Sequence, residues 1–132
     1  MTKNVRKNVP DEQLAELFRR YGTEFSDFDG LTLSDPDQCG YGEDSPLHVA
    51  ARHGLKDDIA VLVKAGASVN KPGELGFTPL HNAAMAGRLD AAKQLLQLGA
   101  NPRLLNEFDQ TAADVAELGG HEDLARLLKS TS

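Results

Sequence analysis

GFTPLHNAAMAGRLDAAKQLLQLGANP, Gly76 to Pro102, is the stretch that decides the fold. Its apolar residues recur at helical spacing, but Gly87 divides them into two runs. Leu80, Ala83 and Ala84 form one face before the glycine; Leu89, Ala92, Leu95 and Leu96 form another after it. Helices this short do not persist alone in water, so the pair must pack on something else. The neighbouring sequence supplies it. Upstream, DSPLHVAARHGLKDDIAVLVKAGASVN (Asp44 to Asn70) places Leu47, His48, Gly54 and Gly66 each 33 residues before Leu80, His81, Gly87 and Gly99. Downstream, QTAADVAELGGHEDLARLLKS (Gln110 to Ser130) keeps the register, with Thr111 and Gly120 each 33 residues after Thr78 and Gly87. Self-similarity at a fixed period of this length predicts a stacked array.

Each unit carries its own punctuation. Ser45-Pro46 and Thr78-Pro79 join a hydroxyl N-cap to a proline at the first helical position, where the missing N–H is not needed. Gly87 and Gly99 suit the left-handed residue that closes a helix. Alanines at the inner positions let neighbouring helices approach, and stacking on the next unit supplies the stability.

The residues TPLHNAA, the turn glycine and the closing LLQLGANP resemble an ankyrin repeat, over about Gly40 to Lys129. The resemblance implies an all-α solenoid of stacked helix-turn-helix units, about 40–72, 73–105 and 106–132, behind an amino-terminal extension, 1–39. The third unit is degenerate: Ala112-Ala113-Asp114 stands where Pro-Leu-His stood. Glu117 replaces Ala51 and Ala84, as suits a terminal cap whose outer face meets water. In such repeats the histidine of His48 and His81 bonds neighbouring backbone and holds the turn; His121 has a similar reading.

In the extension, VPDEQLAELFRRYG predicts a helix over about 10–21. Pro10 opens it, Leu14, Leu17, Phe18 and Tyr21 share a face, and Gly22 stops it. Two roles stand open for it: capping helix of the stack, or a helix that binds a partner. Glu24, Asp27, Asp29, Asp35, Asp37, Glu43 and Asp44 follow with no Lys or Arg among them. They read either as a solvated loop or as a contact for a basic partner. DFDG, Asp27 to Gly30, lacks the further oxygen ligands of a calcium loop, so no metal site is expected.

Composition narrows the function. The 132 residues carry a formal charge of −6 without a basic patch, which disfavours nucleic acid. Aromatics are 5% and tryptophan is absent, so the core must be aliphatic. Cys39 is the only cysteine, which excludes an internal disulfide and fits a reducing, cytoplasmic setting. Neither a secretory leader nor a membrane span is expected. Phosphate loops, paired Cys-x-x-Cys and H-E-x-x-H are missing, so neither an enzyme nor a cofactor is expected.

The resemblance implies a concave face built from turn tips and first helices. Its exposed positions would be Tyr41, Asp44, Arg52 and His53 in the first unit, and Glu74, Leu75, Phe77 and Met85 in the second. The third would add Glu107, Phe108, Gln110 and Leu118. Several are large and apolar, ringed by acids, as in the centre and rim of protein interfaces. The expected function is non-enzymatic recognition of a partner protein with a basic surface, the chain being little more than the stack and monomeric when unbound. By resemblance to small stand-alone bacterial ankyrin-repeat proteins, it could act as an inhibitor or toxin-neutralising immunity protein. The alternative is a structural or adaptor subunit that uses the same surface for assembly.

Overall fold

The computed structural model describes residues 2–131, with side chains described from Glu12 onward. Seven α-helices form it, and no strand occurs among the described residues. They are α1 (Thr2–Glu24), α2 (Pro46–His53), α3 (Lys56–Lys64), α4 (Pro79–Ala86), α5 (Leu89–Gln97), α6 (Ala112–Leu118) and α7 (Glu122–Ser130). Three antiparallel pairs stack: α2 with α3, α4 with α5, α6 with α7. The inner helices α2, α4 and α6 lie side by side, with α3, α5 and α7 forming a second row.

The 33-residue period is visible bond by bond. Ser45 and Thr78 adopt the extended N-cap conformation, and a capping box closes each helix start with the histidine of the same turn. Thr111 and Asp114 make the same box in the degenerate third unit, so Asp114 does the capping work of the missing histidine. The turn between paired helices is sealed by one repeated bond: Leu55 N–H to Ala50 O, Arg88 N–H to Ala83 O and His121 N–H to Ala116 O, at 2.9, 2.8 and 2.9 Å. Gly54 and Gly87 take φ of 70° and 71° there, a region that favours glycine. At Gly87 an added methyl would also lie 2.5 Å from the His121 ring.

The core is a continuous aliphatic seam. Leu47, Leu80, Leu95, Ile59, Leu62 and Leu128 are fully buried, and Ala50, Ala51, Ala83 and Ala84 line the close helix contacts. Glu117, in register with Ala51 and Ala84, is exposed and ion-paired to Lys129.

α1 packs against α3, in front of the outer row. The face spaced at i, i+3, i+4 and i+7 is the one turned inward: Leu17, Phe18 and Tyr21 are buried and Leu14 is partly buried. Both helix ends differ from the sequence reading. The backbone runs helically from Thr2, through Pro10, instead of beginning at the proline. It continues past Gly22 to Glu24. Gly22 serves close approach instead: a side chain there would meet the Leu31 carbonyl at 3.1 Å, and Gly30 donates its N–H to Gly22 O. The Tyr21 hydroxyl donates to Asp58 at 3.0 Å, and Arg20 donates to the other oxygen of Asp58 at 2.8 Å. Burial, then the Asp58 charge, pushes the Tyr21 hydroxyl well above its usual range, so it remains a donor.

The repeat register reaches upstream of residue 40. Asp37 accepts from Ser68 N–H and its hydroxyl at 2.8 and 2.7 Å. Asn70, 33 residues on, accepts from Asn101 N–H at 2.8 Å.

Candidate functional site: the face of turn tips and inner helices

Three tips project beside the inner helices, each closed by the same bond. Gly40 donates to Asp44 O (2.8 Å), Gly73 to Phe77 O (2.8 Å) and Asn106 to Gln110 O (3.0 Å). Each tip needs a residue with positive φ: Glu43 at 73°, Gly76 at 77° and Asp109 at 58°, again 33 apart. At Asn106 a side chain replaces the glycine of the other tips, and its Oδ1 accepts from Phe108 and Gln110 N–H.

Each tip is tied to the segment before it through one register position, the second and third to the tip ahead of them and the first to Asp27. Tyr41 N–H donates to Asp27 O and Glu107 N–H to Leu75 O, both at 3.0 Å. Between them, Glu74 N–H donates at 3.0 Å to a carboxylate oxygen of Asp44. Asp44 is only 5% exposed. The expectation that it belongs to an acidic rim is therefore corrected: its charge is spent inside, on Glu74 N–H and on Arg52 at 3.1 Å.

Arg52 is the hub of this network. Its guanidinium also reaches Asp27 at 3.3 Å and the Asn82 side-chain oxygen at 2.9 Å. Asn82 is a residue of this network that the repeat pattern did not single out. The available signal was a polar residue where the other units have Val49 and Val115. Asp27 is a second such residue, and its bond to Arg52 explains part of the acidic segment. Asp37 on Ser68, Asp35 on the Asp37 N–H, Asp44 on Arg52 and Glu24 beside Arg20 bring the partnered acids of the segment to five.

Six of the residues picked from sequence line one cleft of about 190 Å³, together with Asn82: Asp44, Arg52, Glu74, Leu75, Phe77 and Met85. Phe77 is half-buried, packed on the core with its ring tilted against that of His81 at 5.6 Å, so only part of it faces the cleft. Gln110 is likewise half-buried: its carbonyl accepts from His81 and its side-chain oxygen from Asn106. His53 lies away from the cleft, its ring 4.9 Å from Phe25. Partial burial, then Arg52 and Arg88, holds its pKa below the usual histidine range. Tyr41 is exposed and its hydroxyl donates to Asp29 O.

Four exposed apolar side chains fall into two register pairs. Leu75 and Phe108 sit on the second and third tips; Met85 and Leu118 sit at the ends of α4 and α6. Leu118 is 74% and Phe108 57% exposed. The tips are hydrogen-bonded and the inner helices packed side by side, so each pair repeats on adjacent units of one face, and Leu75 and Met85 also line the same cleft. Around it, Glu43, Glu74, Glu107 and Asp109 are exposed with no cation partner among the described residues. Lys56, Lys64, Lys71, Lys93 and Arg103, also without a carboxylate partner, lie on α3, α5 and the segments after them.

The histidines belong to the scaffold. His48 Nδ1 accepts from Ser45 N–H and hydroxyl, at 3.0 and 2.9 Å, and Nε2–H donates to Lys71 O at 2.8 Å. His81 repeats this with Thr78 and Gln110 O. Burial lowers the pKa of both, which favours the neutral ring, and the carbonyl acceptors of Lys71 and Gln110 assign its proton to Nε2.

The sequence model of the family described as Ankyrin repeats (3 copies) matches residues 14–106 and 47–132. The chain belongs to the ankyrin-repeat family, whose members are in general modules of protein–protein interaction. The match begins within α1, so it takes in the helix that packs ahead of the first full unit. No curated protein matches the chain. No described helix is long and apolar enough to cross a membrane.

Proposed function

We propose that the face of turn tips and inner helices binds a partner protein. The supporting observation is the coincidence of Leu75 with Phe108 and of Met85 with Leu118 at equivalent register positions, all exposed. A contiguous apolar patch with a polar rim is the usual mark of an interface. The acids without cation partners at the tips, against the cations of α3, α5 and the segments after them, favour a basic partner surface. Where that surface is the one the partner acts through, occupying it would make the chain an inhibitor, as a toxin-neutralising protein is; where it is not, the chain would serve as a structural or adaptor subunit.

The test is capture from lysate with two folded baits, wild type and Met85→Asp/Leu118→Asp. A Leu98→Asp bait, altered just past α5, is the control. A partner held by wild type and by the control, and lost by the double variant, supports this face. Its activity, free and in complex, then separates an inhibitor from a structural or adaptor subunit. Equal capture by all three baits rejects the face. Phe77 is left intact because its contact with His81 would confuse binding with folding.

A further inference from the structure

The cleft between the first two units has a chemistry of its own, and it shares Leu75 and Met85 with the open apolar face beside it. Its apolar wall is Leu75, Phe77 and Met85. Its polar side is closed to bargaining: Arg52 is held by Asp27, Asp44 and Asn82, so its charge is matched internally twice over. What is left over is negative. Glu74, at the rim, has no cation partner among the described residues, while its backbone N–H is anchored on Asp44. The cleft therefore presents an apolar wall beside the exposed Glu74 carboxylate, whose backbone is anchored, with a negative balance behind it.

Only one kind of protein side chain matches both parts. A long aliphatic stem with a cationic head lays its methylenes on apolar surface and keeps the charge at a polar edge. A purely apolar side chain would leave Glu74 unanswered, and an acidic one would meet it with like charge. Resting on the binding face proposed above, we propose that this cleft receives one lysine or arginine side chain of the partner, its stem against Leu75 and Met85 and its head at Glu74. The occupant is a side chain of a folded or extended protein segment; the neighbouring patch of Leu75, Phe108 and Leu118 would take the apolar residues beside it. Small central pockets that accept one anchor residue carry a large share of interface energy, so this contact would set which basic proteins are accepted.

The probes are N-acetyl-arginine amide, N-acetyl-lysine amide and N-acetyl-citrulline amide, the last matching arginine in shape without its charge. Each is titrated into the full chain and followed by NMR. The Met85 methyl is easily assigned, since Met1 is the other methionine. Saturable millimolar shifts at Met85 and Leu75 with the two cationic amides are expected. Glu74→Gln, which keeps the backbone anchor and should fold normally, should weaken them roughly three- to fivefold, the scale of one exposed ion pair. Citrulline amide producing equal shifts would overturn the assignment, as would shifts located elsewhere, no shifts at all, or Glu74→Gln behaving as wild type. Capture with a Phe108→Asp/Leu118→Asp bait, both residues exposed and outside the cleft, reads the face independently: a partner lost by that bait, with a cleft that ignores cations, would leave the binding face standing and remove this occupant.

Discussion

The Asp44 carboxylate stands 3.0 Å from the backbone N–H of Glu74, where a backbone carbonyl serves the equivalent N–H at the two neighbouring tips. One side chain thus replaces a piece of main chain in the ladder that spaces the tips. The same carboxylate holds Arg52 on the inner helix of its own unit. Tip spacing and the position of the hub are coupled through a single buried charge.

Asp44→Ala should destabilise the chain by about 2 kcal/mol. It leaves the Glu74 N–H unpaired and a half-buried guanidinium with one carboxylate fewer. Arg52 retains Asp27 and partial contact with water, which holds the loss below that of a fully buried pair. Urea unfolding measures it, and a change under about 0.5 kcal/mol would show that the network is not structural.

Acidification should weaken the fold beginning near pH 6.5, the ordinary histidine value. His48 and His81 have lowered pKa values because burial opposes their charged form. Below about pH 6.5 the unfolded chain therefore binds protons that the folded chain refuses. Their contribution is complete above that pH and declines as pH falls toward the folded-state values. The urea midpoint should fall between pH 7.5 and 5.5. Imidazole nitrogen shifts should show both rings as Nε2–H at neutral pH. A ring titrating at or above the ordinary value would refute the account.

Glu43→Gly should stabilise the chain by roughly 0.5–1 kcal/mol. Glu43 has φ of 73°, where the second tip has Gly76. A side chain in this region costs about 1–2 kcal/mol, against roughly 0.5–1 kcal/mol of extra chain entropy lost by glycine. Thermal unfolding decides it; a lower melting temperature would mean that the Glu43 side chain contributes something its exposed position does not reveal.

Leu118→Ser and Leu95→Ala should separate surface from core. Leu118 is largely exposed, so its loss should change stability by no more than about 0.5 kcal/mol. Leu95 is fully buried, and truncation there should cost about 2–5 kcal/mol. A Leu118→Ser variant as damaged as Leu95→Ala would place that side chain in the fold instead of the candidate interface.

Much of the architecture was legible because its causes are local. The Ser45–His48 and Thr78–His81 capping boxes join residues three apart. The buried face of α1 follows from 3.6-residue periodicity, and the turn glycines from the φ that a turn requires. Gly22 was misread because its role depends on Leu31 folding back over the helix. The site was legible in part for the same reason. Leu75, Met85, Phe108 and Leu118 could be picked by register, since equivalent positions in a repeat face the same way.

By itself, then, the sequence determined the period, the helix pairs, their caps and the row of side chains turned toward the tips. Those depend on backbone preferences and on spacing within one unit. Only the tertiary structure decided which of those side chains are free to meet a partner. Asp44 and Glu74 are both acids at a tip, yet one is buried beneath Arg52 and a backbone N–H from the next unit, and the other keeps an unpaired carboxylate. That difference arises where separate units stack: a charge removed from water must find partners, and here Asp44 finds one of them 30 residues away along the chain.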